Sequence, residues 1–180
     1  MAKVLLVDTN FASATIYSIL KEFGYKVDVI GSNPNDALAK SAEQYWNIDY
    51  SDIAALSNLI EKEGFDYLVP GCTDRSYKSC AVVSQGHFPG IETSDVEHKL
   101  HNKEQFRAIA EKLNLPIPET QNINNNRLDY PVIIKPVDSF SGRGITVIKN
   151  RNKKLLNSAI KLARKNSATE EYLVEKFISG

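Results

Sequence analysis

A cluster of residue types suited to anion binding lies in the second half of the chain. Lys135 ends an apolar run just before Pro136, and an unpaired ammonium there must find an anion or reach water. The loop 138–144 follows, and its two glycines leave backbone amides open to a ligand. Hydroxyls and a guanidinium complete a potential phosphate cradle. The candidate residues of this loop are Ser139, Ser141, Gly142, Arg143 and Gly144.

Simpler interpretations exist for both features. Lys135 alone could be a strand-end lysine that reaches solvent, and the loop could be a flexible hairpin connection. A plain hairpin, however, needs neither Arg143 nor a lysine seven positions before Gly142. The loop is not a Walker loop, because the pattern Gly-x-x-x-x-Gly-Lys-Ser/Thr is absent.

Three further residues carry charges at positions that require an explanation. Lys103 opens a predicted helix, where its charge opposes the helix dipole unless an anion lies nearby; a tolerated surface lysine is the alternative. Glu175 and Lys176 interrupt the apolar strand 172–178, and on a strand they point to opposite faces. An inward carboxylate could accept a hydrogen bond from the amine of an adenine ring. An edge strand with a solvated pair is nearly as good an interpretation.

The first half of the chain predicts a Rossmann-like parallel sheet. Strands over 3–8, 26–30 and 65–69 alternate with helices over 12–23 and 52–63, and such alternation requires right-handed crossovers. Trp46 is expected to pack against this sheet.

The turn after the first strand excludes one common function of such folds. Residues 8–14 contain no glycine, so a dinucleotide pyrophosphate is not expected there. A phosphoacceptor receiver is excluded as well, because the third strand ends without an aspartate. At the neighbouring strand end, Asp74 and Arg75 could touch a small charged substrate, although capping of the next helix by Thr73 or Asp74 is the favoured interpretation.

The second half predicts a small α+β arrangement. A helix over 102–113, capped by Asn102, ends before two prolines, and strands over 131–136 and 145–148 flank the glycine loop. An amphipathic helix over 153–165 and the strand 172–178 complete it.

Composition restricts the class of protein. The 180 residues include 22 basic and 22 acidic side chains, which argues against a nucleic-acid binder. The halves differ, since residues 1–90 have 7 basic and 11 acidic side chains and residues 91–180 have 15 and 11. Cys72 and Cys80 match neither a zinc nor a disulfide pattern, and no apolar run could span a membrane. We therefore expect a cytoplasmic protein with reduced thiols, without nucleic-acid or membrane partners. The sequence is compatible with either a monomer or a homodimer.

The order of these motifs resembles the first half of an ATP-grasp ligase. A Rossmann-like domain is followed by Asn102-Lys103 opening a helix, by the strand and glycine loop 132–144, and by Tyr-Leu-Val-Glu-Lys-Phe-Ile over 172–178. The loop is most similar to the carbamoyl-phosphate synthetase branch. The resemblance implies a Rossmann-like pre-ATP-grasp domain over 1–92 and the first part of an ATP-grasp domain over 93–180, with a lid at about 125–178.

The resemblance also implies roles for single residues. Lys103 and Lys135 would contact the ATP phosphates, and the loop 139–144 would close over them as a flap. Glu175 and Lys176 would bind the amino edge of adenine, and Ile178 would bind the ring through its backbone. In the family, ATP phosphorylates a carboxylate, and an amine or ammonia attacks the resulting acyl phosphate.

The residues that would hold Mg²⁺ and the ribose in such a ligase are expected after Gly180. We therefore expect the chain to be a fragment of a longer ligase, inactive by itself, without a catalytic or metal-binding residue of its own and with at most weak nucleotide binding. A non-catalytic nucleotide-binding module or a protein-interaction module is the alternative function.

Overall fold

The computed structural model describes residues 1–124, 127–139 and 141–179, and it divides into two compact units, Met1–His98 and Lys99–Gly180. Phe140, inside the predicted glycine loop, and Gly180 lie outside the described residues. Among the described residues, no helix is both long and apolar enough to cross a lipid bilayer.

The first unit is built on a parallel sheet, as the sequence predicts. Its four strands follow the order β3-β2-β1-β4, and every neighbouring pair is parallel. The elements in this part of the chain are β1 (Lys3–Val7), α1 (Ser13–Glu22), β2 (Lys26–Gly31), α2 (Ala37–Ser41), β3 (Gln44–Asn47), α3 (Ile53–Glu63), β4 (Tyr67–Pro70), α4 (Asp74–Ser84) and α5 (Ser94–His101).

Burial on both faces explains the apolar runs of the central strands. Val4 and Leu6 of β1 pack in one core cluster, whereas Leu5 and Val7 pack in a second cluster on the other face. The sequence analysis missed α2, β3 and α5. The strand β3 is short and only half-buried, so it has no apolar run, and Trp46 lies within it and donates to Asp28 Oδ2 at 3.0 Å.

Side-chain caps begin the helices α3 and α4 where the sequence predicts. Asp52 Oδ1 accepts a hydrogen bond from the Ala55 amide at 3.1 Å, and Gly64 ends α3 with a φ of 62°. Thr73 Oγ1 accepts from the Ser76 amide at 3.2 Å, so Thr73 rather than Asp74 caps α4.

The turn between β1 and α1 depends on two glycines, one at the end of β2 and one directly after β4. A Cβ atom built on Gly31 would lie 2.5 Å from Thr9 Oγ1, and one built on Gly71 would lie 2.6 Å from Ser13 Oγ and also overlap Asp8. Asp8 itself has a φ of 144°, which few residues other than glycine adopt. The turn therefore requires the smallest residue on either side.

The second unit is a three-stranded antiparallel sheet with helices, and this confirms the predicted α+β arrangement. Its sheet order is β6-β5-β7. Its elements are α6 (Lys103–Lys112), β5 (Val132–Pro136), β6 (Thr146–Ile148), α7 (Lys153–Lys165) and β7 (Tyr172–Lys176).

The core of this unit lies between the sheet and α7. Val132, Ile134 and Val174 pack there against Ala159 and Ala163. Because side chains alternate along a strand, the intervening residues of β5 and β7 point to the opposite face. That face carries Lys135 and Glu175.

We expect Gly71→Ala to lower the free energy of unfolding by about 1–3 kcal/mol, because the added methyl group overlaps Asp8 and Ser13. Urea denaturation followed by circular dichroism measures the effect. The neighbouring variant Cys72→Ala, at an exposed side chain, serves as the control and should unfold like the wild type. Equal free energies of unfolding for Gly71→Ala and the control would contradict the close approach of Gly71 to Asp8 and Ser13.

Candidate functional site

The site is built on the face of the second sheet that is opposite α7. The strands β5 and β7 pair with Ile133 opposite Glu175 and Lys135 opposite Leu173. Residues directly opposite each other share a face, and positions two apart along a strand do too. Since Val174 belongs to the core with α7, the alternation places Lys135 and Glu175 together on the other face.

Glu175 lies at the centre of this face and binds two cations. Its side chain is about 1% exposed. Oε1 accepts a hydrogen bond from Arg107 Nε at 2.6 Å. Oε2 forms an ion pair with Lys135 Nζ but has no directional hydrogen bond among the described residues. Each carboxylate oxygen therefore has its own positive partner.

Two opposing effects set the protonation of Glu175. Burial raises the pKa of its carboxyl group, whereas the hydrogen bond from Arg107 and the nearby ammonium of Lys135 lower it. The two cations together outweigh burial, and the pKa lies below the ordinary value of 4.5. Glu175 is therefore a carboxylate at neutral pH.

Lys103 is tied to the base of the glycine loop. Asn102 caps α6 by accepting from the amides of Glu104 and Gln105 at 3.1 and 3.0 Å. Lys103 then donates from its backbone amide to the Val137 carbonyl at 2.9 Å and from Nζ to the Ser139 carbonyl at 2.7 Å. The predicted helix start and the predicted loop are thus brought together.

The helix α6 connects Lys103 to the Glu175 cluster through a residue that the sequence analysis missed. Arg107 lies four positions after Lys103, so the two side chains share one face of the helix. One of them contacts the loop and the other contacts Glu175. The spacing of four residues indicates that Arg107 shares the helix face of Lys103. Only the structure shows that Arg107 binds the buried carboxylate of Glu175.

The loop itself adopts a conformation that glycine favours. Ser141, Gly142 and Gly144 have φ values of 55°, 72° and 75°. The Ser139 hydroxyl donates to the Arg143 carbonyl at 2.9 Å and closes the loop. A Cβ atom on Gly142 would meet no atom of the described residues within 4 Å, whereas one on Gly144 would lie 2.8 Å from both Asn166 and Pro136.

Lys176 and Ile178 occupy different surroundings from Glu175. The Lys176 ammonium pairs with Asp129, so its side chain faces away from Glu175, and only its backbone could reach a ligand on the Glu175 face. Ile178 follows the end of β7 and is 67% exposed. Its amide has no hydrogen-bond partner in the described part of the chain, so it is available to an acceptor.

The antiparallel register separates two ends of this face. The glycine loop follows Pro136, which lies opposite Tyr172 at the start of β7. Lys176 lies opposite Val132 at the other end, roughly 13 Å away at the rise of a β-strand. Lys135 and Glu175 lie between the loop and Ile178.

In the first unit, the carboxyl ends of the parallel strands carry a separate polar group. Asp8 is 5% exposed, and its Oδ2 accepts a hydrogen bond from the Ser13 hydroxyl at 3.1 Å. Arg75 pairs with Asp49 and lies 5.0 Å from the ring centre of Tyr50. Arg75 is therefore at the strand ends as predicted, but it is already paired within the protein. The described residues form no group of three or more metal-ligating side chains in either unit.

We expect the stabilising effect of Glu175 to depend on pH. Because its pKa is lowered on folding, the ion pairs stabilise the protein above the ordinary pKa of 4.5, and this stabilisation is lost as the pH falls through the lowered value. Urea denaturation between pH 3 and 7 should show that the difference in stability between the wild type and Glu175→Gln shrinks with acidity. The exposed control Glu171→Gln should show no comparable trend, and a constant difference would contradict the assignment.

Comparison with known proteins places these residues in a family context. Residues 102–180 match the family model of the carbamoyl-phosphate synthase L chain, ATP binding domain. A formate-dependent phosphoribosylglycinamide formyltransferase of Histophilus somni is 28% identical over 159 residues, which cover 83% of this chain and 40% of the relative. The arginine-specific large chain of carbamoyl phosphate synthase from Bacillus subtilis is 28% identical over 180 residues, covering 89% and 17%.

The fold matches solved structures over nearly its full length. The ADP complex of an N5-carboxyaminoimidazole ribonucleotide synthetase superimposes with a TM-score of 0.76 at 21% identity and covers 98% of this chain and 47% of that one. The chain thus spans less than half the length of the relatives that it matches. Together, these similarities confirm that the chain resembles the amino-terminal half of ATP-grasp ligases, and its residues 102–180 match the ATP binding domain of the carbamoyl-phosphate synthase L chain.

Proposed function

We propose that this chain supplies the phosphate-binding and adenine-binding elements of an ATP-dependent carboxylate–amine ligase. The observation that carries the proposal is the Arg107–Glu175–Lys135 cluster beside the glycine loop, within the part of the chain that matches an ATP-binding family. In such a reaction, ATP phosphorylates a carboxylate, and an amine or ammonia displaces the phosphate from the acyl phosphate.

Basic side chains of the site suit a polyanion. The Lys103 ammonium contacts the Ser139 carbonyl of the glycine loop, and the Lys135 ammonium lies beside Glu175 on the sheet face. Arg143 of the glycine loop adds a guanidinium. Ammonium and guanidinium groups at fixed positions stabilise the charge that develops during phosphoryl transfer.

The register of the sheet suggests how a nucleotide would lie. Its phosphates would bind at the loop, where Lys103 Nζ already contacts the Ser139 carbonyl. Its adenine would lie near the end of β7, where the backbone amide of Ile178 can donate to a ring nitrogen. Lys135, between these two ends, would reach a phosphate from the sheet face.

For the substrates, the proposal extends only to their chemical classes. We infer a small carboxylate and an amine or ammonia, and a carbamoyl-phosphate-synthetase-like reaction is one branch among those that the relatives represent. Mg²⁺ would neutralise phosphate charge when bound. Because no described residues form a cluster suited to a metal, we assign no Mg²⁺ ligand here.

We expect Lys135→Met and Arg143→Ala each to weaken ATP binding by about tenfold or more, because each removes a charged hydrogen-bond donor to phosphate. Isothermal titration with ATP and Mg²⁺ measures the affinity, and thermal unfolding monitors the fold. Lys149→Ala, an exposed lysine outside the cluster, serves as the matched control and should bind like the wild type. If both site variants bound ATP as tightly as the control, the proposal would be wrong.

A further inference from the structure

Glu175 has more positive partners than a single carboxylate needs. Arg107 Nε binds Oε1 at 2.6 Å, and the Lys135 ammonium pairs with Oε2. A buried carboxylate is costly when it has no partner, and removing one partner from a buried pair is strongly destabilising. The second cation therefore stabilises the buried carboxylate most when the first cation leaves it.

Chemistry decides which cation can leave. Arginine is always charged and has a planar group that holds a fixed orientation, whereas the lysine ammonium is a point charge on a flexible stem. The Arg107 guanidinium also lies 5.8 Å from the ring centre of Phe106 and so has a second contact. Lys135 lies on β5, which leads directly into the glycine loop. These features favour Arg107 as the fixed partner of Glu175 and Lys135 as the partner that can move.

We propose that Arg107 is a positioning residue for nucleotide binding: it keeps Glu175 paired while the Lys135 ammonium moves from that carboxylate to a phosphate. This inference rests on the proposed function. Without Arg107, a phosphate that draws Lys135 away would leave the Glu175 carboxylate buried and unpaired. Nucleotide affinity would then fall although Arg107, in this proposal, contacts Glu175 and not the nucleotide.

The test compares ADP and ATP affinities of the wild type, Arg107→Gln and Arg107→Lys by isothermal titration. We expect Arg107→Gln to bind about tenfold more weakly or worse, while Arg107→Lys, which keeps the charge, stays within about threefold of the wild type. Lys112→Gln removes an exposed positive charge from the same helix and controls for the overall charge. It should bind like the wild type.

A double-mutant cycle with Glu175→Gln separates positioning from simple structural support. Once the carboxylate is gone, Arg107 has nothing to hold, so adding Arg107→Gln to Glu175→Gln should change the affinity by less than about threefold. If Arg107→Gln alone fails to fold, the comparison of Glu175→Gln with the double variant still decides, because neither of these two variants leaves the buried carboxylate without a partner. A large further loss in the double variant would overturn the inference.

The outcomes separate this inference from the proposed function. If the wild type binds no nucleotide, or binds it as well as Lys135→Met does, the proposed function fails and this inference fails with it. If Lys135→Met weakens binding but Arg107→Gln binds like the wild type, only the positioning role of Arg107 is overturned.

Discussion

The buried carboxylate of Glu175 is the constraint on which the second unit depends. A negative charge about 1% exposed must be neutralised where it lies, and Arg107 and Lys135 do so from two different elements. The Arg107 ion pair therefore links α6 to β7, which is already joined to β5 in the sheet. They also keep the carboxyl group ionised, because the cations outweigh the effect of burial on its pKa.

The two faces of the antiparallel sheet differ, because one is apolar and the other carries charged side chains. One face packs against α7 through small and branched side chains such as Ala159 and Ile134, and it provides stability. The other face carries the charges that suit a nucleotide. Lys176 shows how strictly the alternation applies, because its ammonium is directed to Asp129 although the neighbouring Glu175 points to the charged face.

The first unit shows a comparable division between the sheet and its edge. The strand β1 is buried on both faces, so its residues 4–7 are all apolar. At its carboxyl end the chain must turn between two flanking strands. Gly31 and Gly71 provide the space for that turn, and the turn carries the buried side chain of Asp8 instead of the glycines of a dinucleotide site.

Local features were determined by the sequence itself. The apolar run of β1, the cap at Asn102, the bounds of α7 and the glycines after β5 depend on residues within a few positions of one another, so their chemistry predicts them directly. The short strand β3 was missed because its burial comes from pairing with β2 and not from its own apolar pattern. The partner of Glu175 could not be predicted either. Arg107 lies 68 positions away in the chain, and only the folding of α6 onto the sheet decides which of the basic residues in this half meets that carboxylate.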